Sequence, residues 1–128
     1  MDVSQGRRAE LSCEVGPSDT AVALGSGSVA VLATPRLLAW AEAATVTALD
    51  GALGVGETSV GVRVELEHTA PSAVGEVVHV RAEVVAVDGA RVVFEVEART
   101  AHASSVGRGR IERVVVDEAR FAARLRRG

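Results

Sequence analysis

The chain has 128 residues, 48% of them hydrophobic, and a formal net charge of -3 at pH 7, which predicts one compact domain over residues 1–128 with a core of its own. The acidic balance disfavours a nucleic-acid partner, and the single cysteine, Cys13, excludes an intrachain disulfide and a multi-cysteine metal site. No signal segment opens the chain and no apolar run approaches the roughly 20 residues that span a bilayer, so we expect a soluble cytoplasmic protein without a membrane partner.

The first regular pattern is helical and follows a start, residues 1–33, that is polar and then small and apolar. It runs from about Thr34 to Leu53. Thr34 can cap the helix, Pro35 suits the first helical position because its missing N–H costs nothing there, and Gly51 or Gly54 can end it. Few of its side chains are charged, which predicts a helix that is buried nearly all round. The charged residues are Arg36, Glu42 and Asp50.

Residues 58–116 carry three or four strand patterns in which apolar and polar residues alternate. This period of two predicts an antiparallel sheet with one face in water. Asp88-Gly89 predicts a hairpin, and the run "GRGRIERVVVD" closes the sheet. The apolar phase of the first strand ends in a histidine: it comprises Val60, Val62, Val64, Leu66 and His68. The Arg-rich tail "DEARFAARLRRG" predicts a helix capped by Asp117.

One apolar helix before a long antiparallel meander predicts an α+β fold in which a curved sheet wraps around the helix. This arrangement is the hotdog fold. The outer face of the sheet still shows apolar residues, namely Val77, Val85, Val87 and Val93. A homodimer would cover some of them and would extend the sheet past an exposed edge, so we expect a homodimer.

Two polar groups lie in apolar patterns and are candidates for chemistry. Glu42 shares a helix face with apolar neighbours and needs a partner, unless it reaches solvent or pairs with an arginine at the helix edge. His68 ends the strand face that should meet the helix; the simpler interpretation is a strand-end histidine bonded to backbone. Thr34 would ordinarily be only an N-cap.

Several stretches resemble the fluoroacetyl-CoA thioesterase family of hotdog proteins, over about Val31 to Phe121. The most specific are Thr34 to Glu42, "GETSVG", "EHTAP" and "GRGRIER". The resemblance implies an acyl-CoA substrate, no cofactor, and a homodimer with active sites at the subunit interface. It also implies roles for five residues: Thr34, Glu42 and His68 form the catalytic set, Gly61 positions the thioester carbonyl, and Arg113 lies near the active site.

Thioester hydrolysis needs an attacking oxygen, a donor to the oxyanion and an acid for the departing thiolate. Under the resemblance, Glu42 attacks directly to give an anhydride, or activates water as a general base. His68 passes protons near neutral pH, and Thr34 orients Glu42 or bonds the substrate oxygen. The Gly61 N–H stabilises the oxyanion. The sequence leaves the covalent and general-base routes open.

One departure from the family concerns specificity. Fluoroacetyl-CoA specialists carry a phenylalanine in a lid segment before the catalytic helix, whereas the corresponding "AVALGSGSVAVLA" has no aromatic residue. We therefore expect a thioesterase for small acyl groups that is not fluoroacetyl-specific. The alternatives are a non-catalytic hotdog protein that binds acyl-CoA or another apolar small molecule and, ranked last because no Asp–His pair is evident, a hydratase or dehydratase.

Other polar motifs carry weaker predictions. Arg108 and Arg110 could meet the phosphates of coenzyme A, or could belong to a solvated turn. His79 and His102 have no carboxylate or cysteine at ligand spacing, so we expect no metal site.

Overall fold

The structure, a computed structural model, describes residues 1–103 and 105–127 as five strands and three α-helices. In chain order they are β1 (Arg8–Glu14), α1 (Ala21–Leu24), α2 (Thr34–Ala48), β2 (Glu57–His68), β3 (Val77–Asp88), β4 (Arg91–Arg99), β5 (Gly107–Asp117) and α3 (Glu118–Arg127). A single 3-10 turn, Pro17–Asp19, precedes α1. Within the described ranges, no helix is long and apolar enough to cross a membrane.

The strands form one antiparallel sheet in the order β1-β3-β4-β5-β2, so β1 and β2 are its edges. The sequence predicted β2 to β5 and the hairpin, in which Asp88 pairs with Arg91 and Gly89 takes a positive φ of 58°. It did not predict β1, whose side chains alternate between half-buried and exposed. The predicted α+β architecture is therefore confirmed, with one additional edge strand.

Helix α2 packs chiefly against β1 and β3 and buries one stripe of side chains. The stripe consists of Leu37, Ala41, Ala44, Thr45 and Ala48. The expectation of a helix buried nearly all round is wrong for the single chain, because Ala39, Ala43 and Val46 face outward and Val46 is 51% exposed. An apolar composition therefore does not bury the second face of α2 within the single chain.

Both ends of α2 differ from the sequence prediction. The N-cap is Ala33, which offers no side-chain bond, and Thr34 is the first helical residue with its hydroxyl free for another partner. The last helical residue is Ala48, and Gly51 follows with a positive φ of 81°. Arg7 stabilises this end, since its Nε donates to the Ala48 carbonyl at 2.6 Å and its Nη2 donates to the Asp50 carbonyl.

The sheet's inner face, which meets α2, forms most of the core. Its fully buried side chains include Val78, Val80, Val84, Val92, Phe94 and Ile111. A register shift between Val84 and Ala86 breaks the predicted alternation of β3, and Ala86 is exposed rather than internal. On the outer face Val77 is 40% exposed, as expected for an uncovered valine. The register shift pairs Val87 with the buried Val92, so Val87, 39% exposed, belongs to the inner face and its predicted outer position is wrong.

A β-bulge in β2 decides which residues face the helix. Gly61 pairs with Arg113 and Arg63 with Glu112, so Val62 is an additional residue between them. In a regular strand Gly61 and His68 would point to opposite faces, since they are seven residues apart. The bulge changes the phase, and both residues lie on the inner face, opposite Arg113 and Gly107 of β5. The predicted apolar phase is therefore confirmed from Val64 to His68 and is wrong for Val60, which pairs with Val114 on the outer face.

The tail forms the predicted helix α3. The Asp117 carboxylate accepts a hydrogen bond from the Arg120 N–H at 2.9 Å, which confirms Asp117 as its cap.

Candidate active site

The first turn of α2 and the end of β2 meet through a pair of side chains. Thr34 Oγ1 lies 2.8 Å from His68 Nδ1, although the two residues are 34 positions apart in the chain. The contact forms because Ala33, not Thr34, caps the helix, and because the β2 bulge turns His68 inward. The sequence analysis singled out both residues, and the fold brings them together.

The imidazole of His68 is only partly satisfied by this contact. Its Nε2 is buried and has no hydrogen-bond partner within the described part of the chain. Burial also lowers the pKa of His68 from its ordinary value, because desolvation disfavours the charged ring. A neutral ring bonded to Thr34 through Nδ1 has Nε2 available as the donor or the acceptor towards a second group.

Glu42 lies further along α2, beside Gly61 and Arg113. Its Oε2 is 3.6 Å from Arg113 Nη1, and its side chain is 37% exposed whereas that of Arg113 is 8% exposed. A β-carbon built on Gly61 would lie 2.7 Å from the same carboxylate oxygen, so glycine at this position leaves the space that the Glu42 carboxylate occupies. Glu42 is therefore paired with an arginine at the helix edge, the alternative that the sequence left open.

Arg113 is held by a residue that the sequence analysis did not identify. Its Nε donates to Ser59 Oγ at 2.9 Å, and its Nη2 donates to the Ser59 carbonyl at 3.1 Å. Burial lowers the pKa of Arg113, and the Glu42 charge opposes that shift. Ser59 could have been identified from its position, because it lies two residues before Gly61 in β2 and therefore shares its face.

Within one chain the predicted catalytic residues form two clusters. Glu42 follows Thr34 by eight residues on α2, which places them about 12 Å apart along the helix axis at roughly 1.5 Å per residue. No hydrogen bond or ion pair between described residues joins the Thr34–His68 pair to Glu42, Gly61 and Arg113. A single chain thus has two partial sites, one at the His68 end of β2 and the other near Gly61.

A cleft of about 320 Å³ opens beside Thr34 and His68. It is lined by Ala21, residues 26–29, Val31, Leu32, Thr34 and residues 68–71. A larger groove of about 970 Å³ lies on the outer face of the sheet, where Arg108 pairs with Glu67 at 3.5 Å and Arg110 with Glu95 at 3.3 Å. We place the candidate site at the smaller cleft because it contains the paired threonine and histidine.

The two arginines of "GRGR" and the histidine His79 have structural partners. Arg108 and Arg110 lie in strand β5 rather than in a turn, on the face opposite His68. Ser12 Oγ lies 2.9 Å from His79 Nδ1. Across residues 1–103 and 105–127, no cluster of three His, Cys, Asp or Glu side chains could hold a metal ion.

A protein-family model matches most of the chain. The family model described as FlK, fluoroacetyl-CoA-specific thioesterase, matches residues 15–119. Among curated proteins, none matches the chain.

Solved structures give close matches over nearly the whole chain. The fluoroacetyl-CoA thioesterase FlK is 29% identical, with 99% of this chain and 98% of that chain covered and a TM-score of 0.92; a variant of FlK has been solved in complex with acetyl-CoA. A Thermus thermophilus protein of the thioesterase superfamily is 29% identical, with 98% and 92% covered and a TM-score of 0.91. A hot-dog-like protein from Thermanaerovibrio acidaminovorans is 33% identical, with 94% and 89% covered and a TM-score of 0.88. These similarities confirm the predicted hotdog fold.

Proposed function

Since this chain belongs to the fluoroacetyl-CoA-specific thioesterase family, it is a thioester hydrolase, and we propose that Thr34, Glu42 and His68 hydrolyse a small acyl-CoA to the free acid and coenzyme A. Solved FlK variants contain acetyl-CoA, or fluoroacetate with coenzyme A, which supports an acyl-CoA substrate here. We also propose a cytoplasmic location, because acyl-CoA thioesters are made and used inside cells.

One observation carries the assignment of residues. The side chains that match the family's threonine, glutamate and histidine fall on the inner face as two pairs, Thr34 with His68 and Glu42 with Arg113. His68 Nε2, which has no partner among the described residues, and the partly exposed carboxylate of Glu42 each leave one functional atom available. A proton donor and a base that act on one substrate would each need such an available atom.

A homodimer would bring the two pairs together. Strand β2 is an edge of the sheet, and its Val62 and Val64 are 48% and 42% exposed. Two copies of β2 that pair antiparallel about a two-fold axis place the Gly61 half of one strand beside the His68 half of the other. Glu42 of one subunit would then approach Thr34 and His68 of the other, and the exposed apolar face of α2 would be covered.

In such a composite site, hydrolysis requires an oxygen to attack the thioester carbonyl and the thiolate to leave. Either the Glu42 carboxylate takes a proton from water, whose oxygen adds to the thioester carbonyl, or Glu42 itself adds and the resulting anhydride is hydrolysed by water. In the water route, collapse of the adduct breaks the carbon–sulfur bond and gives the acid directly; in the covalent route, the same collapse expels the thiolate and forms the anhydride, which water hydrolyses afterwards. His68 Nε2 passes a proton to the departing thiolate, and the proton that water releases to Glu42 restores the neutral ring. Thr34 fixes the imidazole through Nδ1, which leaves Nε2 for that transfer.

The cleft supports a small acyl group without selection for fluorine. Its wall before α2 comes from residues 26–29, Val31 and Leu32, which offer small hydroxyl and aliphatic groups. There is no aromatic ring in residues 21–33 to pack against a fluoromethyl group. A small-to-medium acyl chain would fit this polar and aliphatic wall as well as a fluoroacetyl group would.

A substrate panel tests the function directly. Free thiol release is measured from acetyl-, propionyl-, butyryl- and longer acyl-CoA, with the wild type and with Glu42→Gln at equal concentration. We expect hydrolysis of the shorter substrates, and a loss of at least about a hundredfold in Glu42→Gln, the usual contribution of an acid–base group. A folded Glu42→Gln variant with wild-type turnover would show that the site is wrong, and no turnover by the wild type would favour a non-catalytic acyl-CoA binder.

A further inference from the structure

Ser59 binds one whole edge of the Arg113 guanidinium. Its side-chain oxygen accepts from Nε at 2.9 Å and its carbonyl oxygen accepts from Nη2 at 3.1 Å. The guanidinium is planar and its N–H groups point in fixed directions, so two bonds on the same edge set the orientation of the plane. The third nitrogen, Nη1, then points away from Ser59.

That third nitrogen is the one that faces the carboxylate. Arg113 Nη1 lies 3.6 Å from Glu42 Oε2 and would lie 3.5 Å from a β-carbon on Gly61. Arg113 is paired with Gly61 across the two strands, and the missing side chain leaves the path by which the guanidinium reaches α2. Ser59, Arg113 and Glu42 therefore form a chain of contacts from β2 through β5 to the helix.

We propose that Ser59 is a positioning residue, which orients Arg113 so that Arg113 holds the Glu42 carboxylate in its working position. The proposal rests on the proposed function, because it assumes that Glu42 takes part in hydrolysis. It gives Arg113 a role towards the protein rather than towards substrate, since two of its three nitrogens are bonded to Ser59 and the third faces Glu42.

The burial of Arg113 explains why the hydroxyl matters. Arg113 is 7% exposed, so water does not readily replace a lost partner of Nε. A buried charged group left with an unpaired donor is costly, and the side chain should rotate to recover a bond. Such a rotation would withdraw Nη1 from Glu42, and a misplacement of about 1 Å can cost up to about a hundredfold in rate.

The test is a double-mutant cycle on kcat and KM with the full-length protein and its best acyl-CoA substrate. We expect Ser59→Ala to lower kcat about tenfold with KM changed less than about twofold, because the carboxylate and not substrate binding is disturbed. Ser59→Thr keeps the hydroxyl and should restore most of kcat. In an Arg113→Gln background, Ser59→Ala should add less than about a twofold loss, since both changes break the same contact.

Thr58→Ala is the matched control, because Thr58 is the neighbouring hydroxyl on the opposite face of β2, and it should leave kcat unchanged. If Ser59→Ala is too unstable to assay, Ser59→Cys keeps the shape of the side chain with a larger and weaker acceptor and should give a smaller loss of the same kind. Equal losses on the wild-type and Arg113→Gln backgrounds, or no loss at all, would overturn the positioning role. Wild-type turnover by Glu42→Gln would instead overturn the proposed function.

Discussion

Thr34 Oγ1 and His68 Nδ1 lie 2.8 Å apart and join the first turn of α2 to the last residue of β2. The contact fixes which imidazole nitrogen remains for chemistry, since Nδ1 is engaged and Nε2 is buried without a described partner. It also shows that Thr34 binds His68 and does not cap the helix, two roles that the sequence alone could not separate. The N-cap is Ala33, and no side chain makes a capping bond there.

Replacing Thr34 by valine should therefore impair activity more than stability. The isosteric Thr34→Val change removes the bond to His68, and we expect kcat to fall about tenfold, less than for loss of an acid–base group. The melting temperature should fall by less than the several degrees that loss of about 1 kcal/mol of capping causes in a chain of this length. Thermal unfolding and thiol release on the same preparation measure both; a large loss of stability with normal kcat would contradict the separation.

Mixed dimers should show whether the site combines two chains. Glu42→Gln and His68→Ala are each expected to be nearly inactive as homodimers. In a composite site, a mixed dimer carries both lesions in one site and none in the other. Random mixing makes half of the dimers mixed, so activity should recover to about a quarter of wild type. Co-refolding of the two variants and titration of their ratio measure this.

If Glu42 and His68 of the same chain worked together, every site in the mixed dimer would hold one lesion. No recovery would then be seen, although exchange of subunits could be verified by mass spectrometry of differently tagged chains. Sedimentation at micromolar concentration provides a second check, because a monomer of 13.2 kDa would leave the composite site untenable.

Gly61→Ala should lower kcat because of its contact with Glu42. The new β-carbon would lie 2.7 Å from Glu42 Oε2, so the carboxylate must move. We expect a loss of between about tenfold and a hundredfold with the fold retained, since the displaced atom is the end of a flexible side chain. The control is Gly54→Ala, whose β-carbon would lie 3.1 Å from the Glu57 carboxylate, outside the site. Equal activity of the two variants would argue against a role for the space at Gly61.

The buried His68 should make the protein less stable in acid. Burial lowers the pKa of His68 in the folded chain from its ordinary value of 6.5. As the pH falls below about 6.5, the unfolded chain therefore binds a proton that the folded chain resists, and stability is lost. The comparison is made between Glu42→Gln and Glu42→Gln/His68→Gln, so that no carboxylate at position 42 opposes the shift.

We expect the free energy of unfolding of Glu42→Gln to fall relative to the double variant between pH 7.5 and 5.5. Denaturant unfolding at both pH values gives the difference. If the variant that retains His68 gains stability on acidification, the ring is charged in the folded state and burial does not control its protonation.

The cleft predicts weak discrimination between fluoroacetyl-CoA and acetyl-CoA. No aromatic side chain lies in residues 21–33, and the cleft wall carries aliphatic and hydroxyl groups. The ratio of kcat/KM for the two substrates should therefore stay below about a hundredfold, which corresponds to roughly 2.7 kcal/mol of differential transition-state binding. A larger preference for the fluorinated substrate would mean that fluorine is recognised without an aromatic lid.

Local rules were sufficient for much of the fold. Strand periodicity predicted β2 to β5, Asp88-Gly89 predicted the hairpin, and Asp117 predicted the start of α3, because each depends on neighbours within a few residues. The same rules missed β1, a half-buried edge strand with charged residues at alternate positions. They also overestimated the burial of α2, since composition describes how apolar a helix is and not how many partners it has in one chain.

The site depended on pairing across the sheet. The sequence identified Thr34, Glu42, His68, Gly61 and Arg113 through resemblance. Periodicity placed His68 correctly on the face that meets the helix, but it placed Val60 there as well and so left Gly61 on the opposite face. Only the register of β2 against β5 shows the bulge at Val62, which turns Gly61 and His68 to the same face. Only the folded chain brings Ser59 against Arg113, 54 residues away. A bulge and a long-range hydrogen bond both arise from how distant strands align, and no local pattern encodes that alignment.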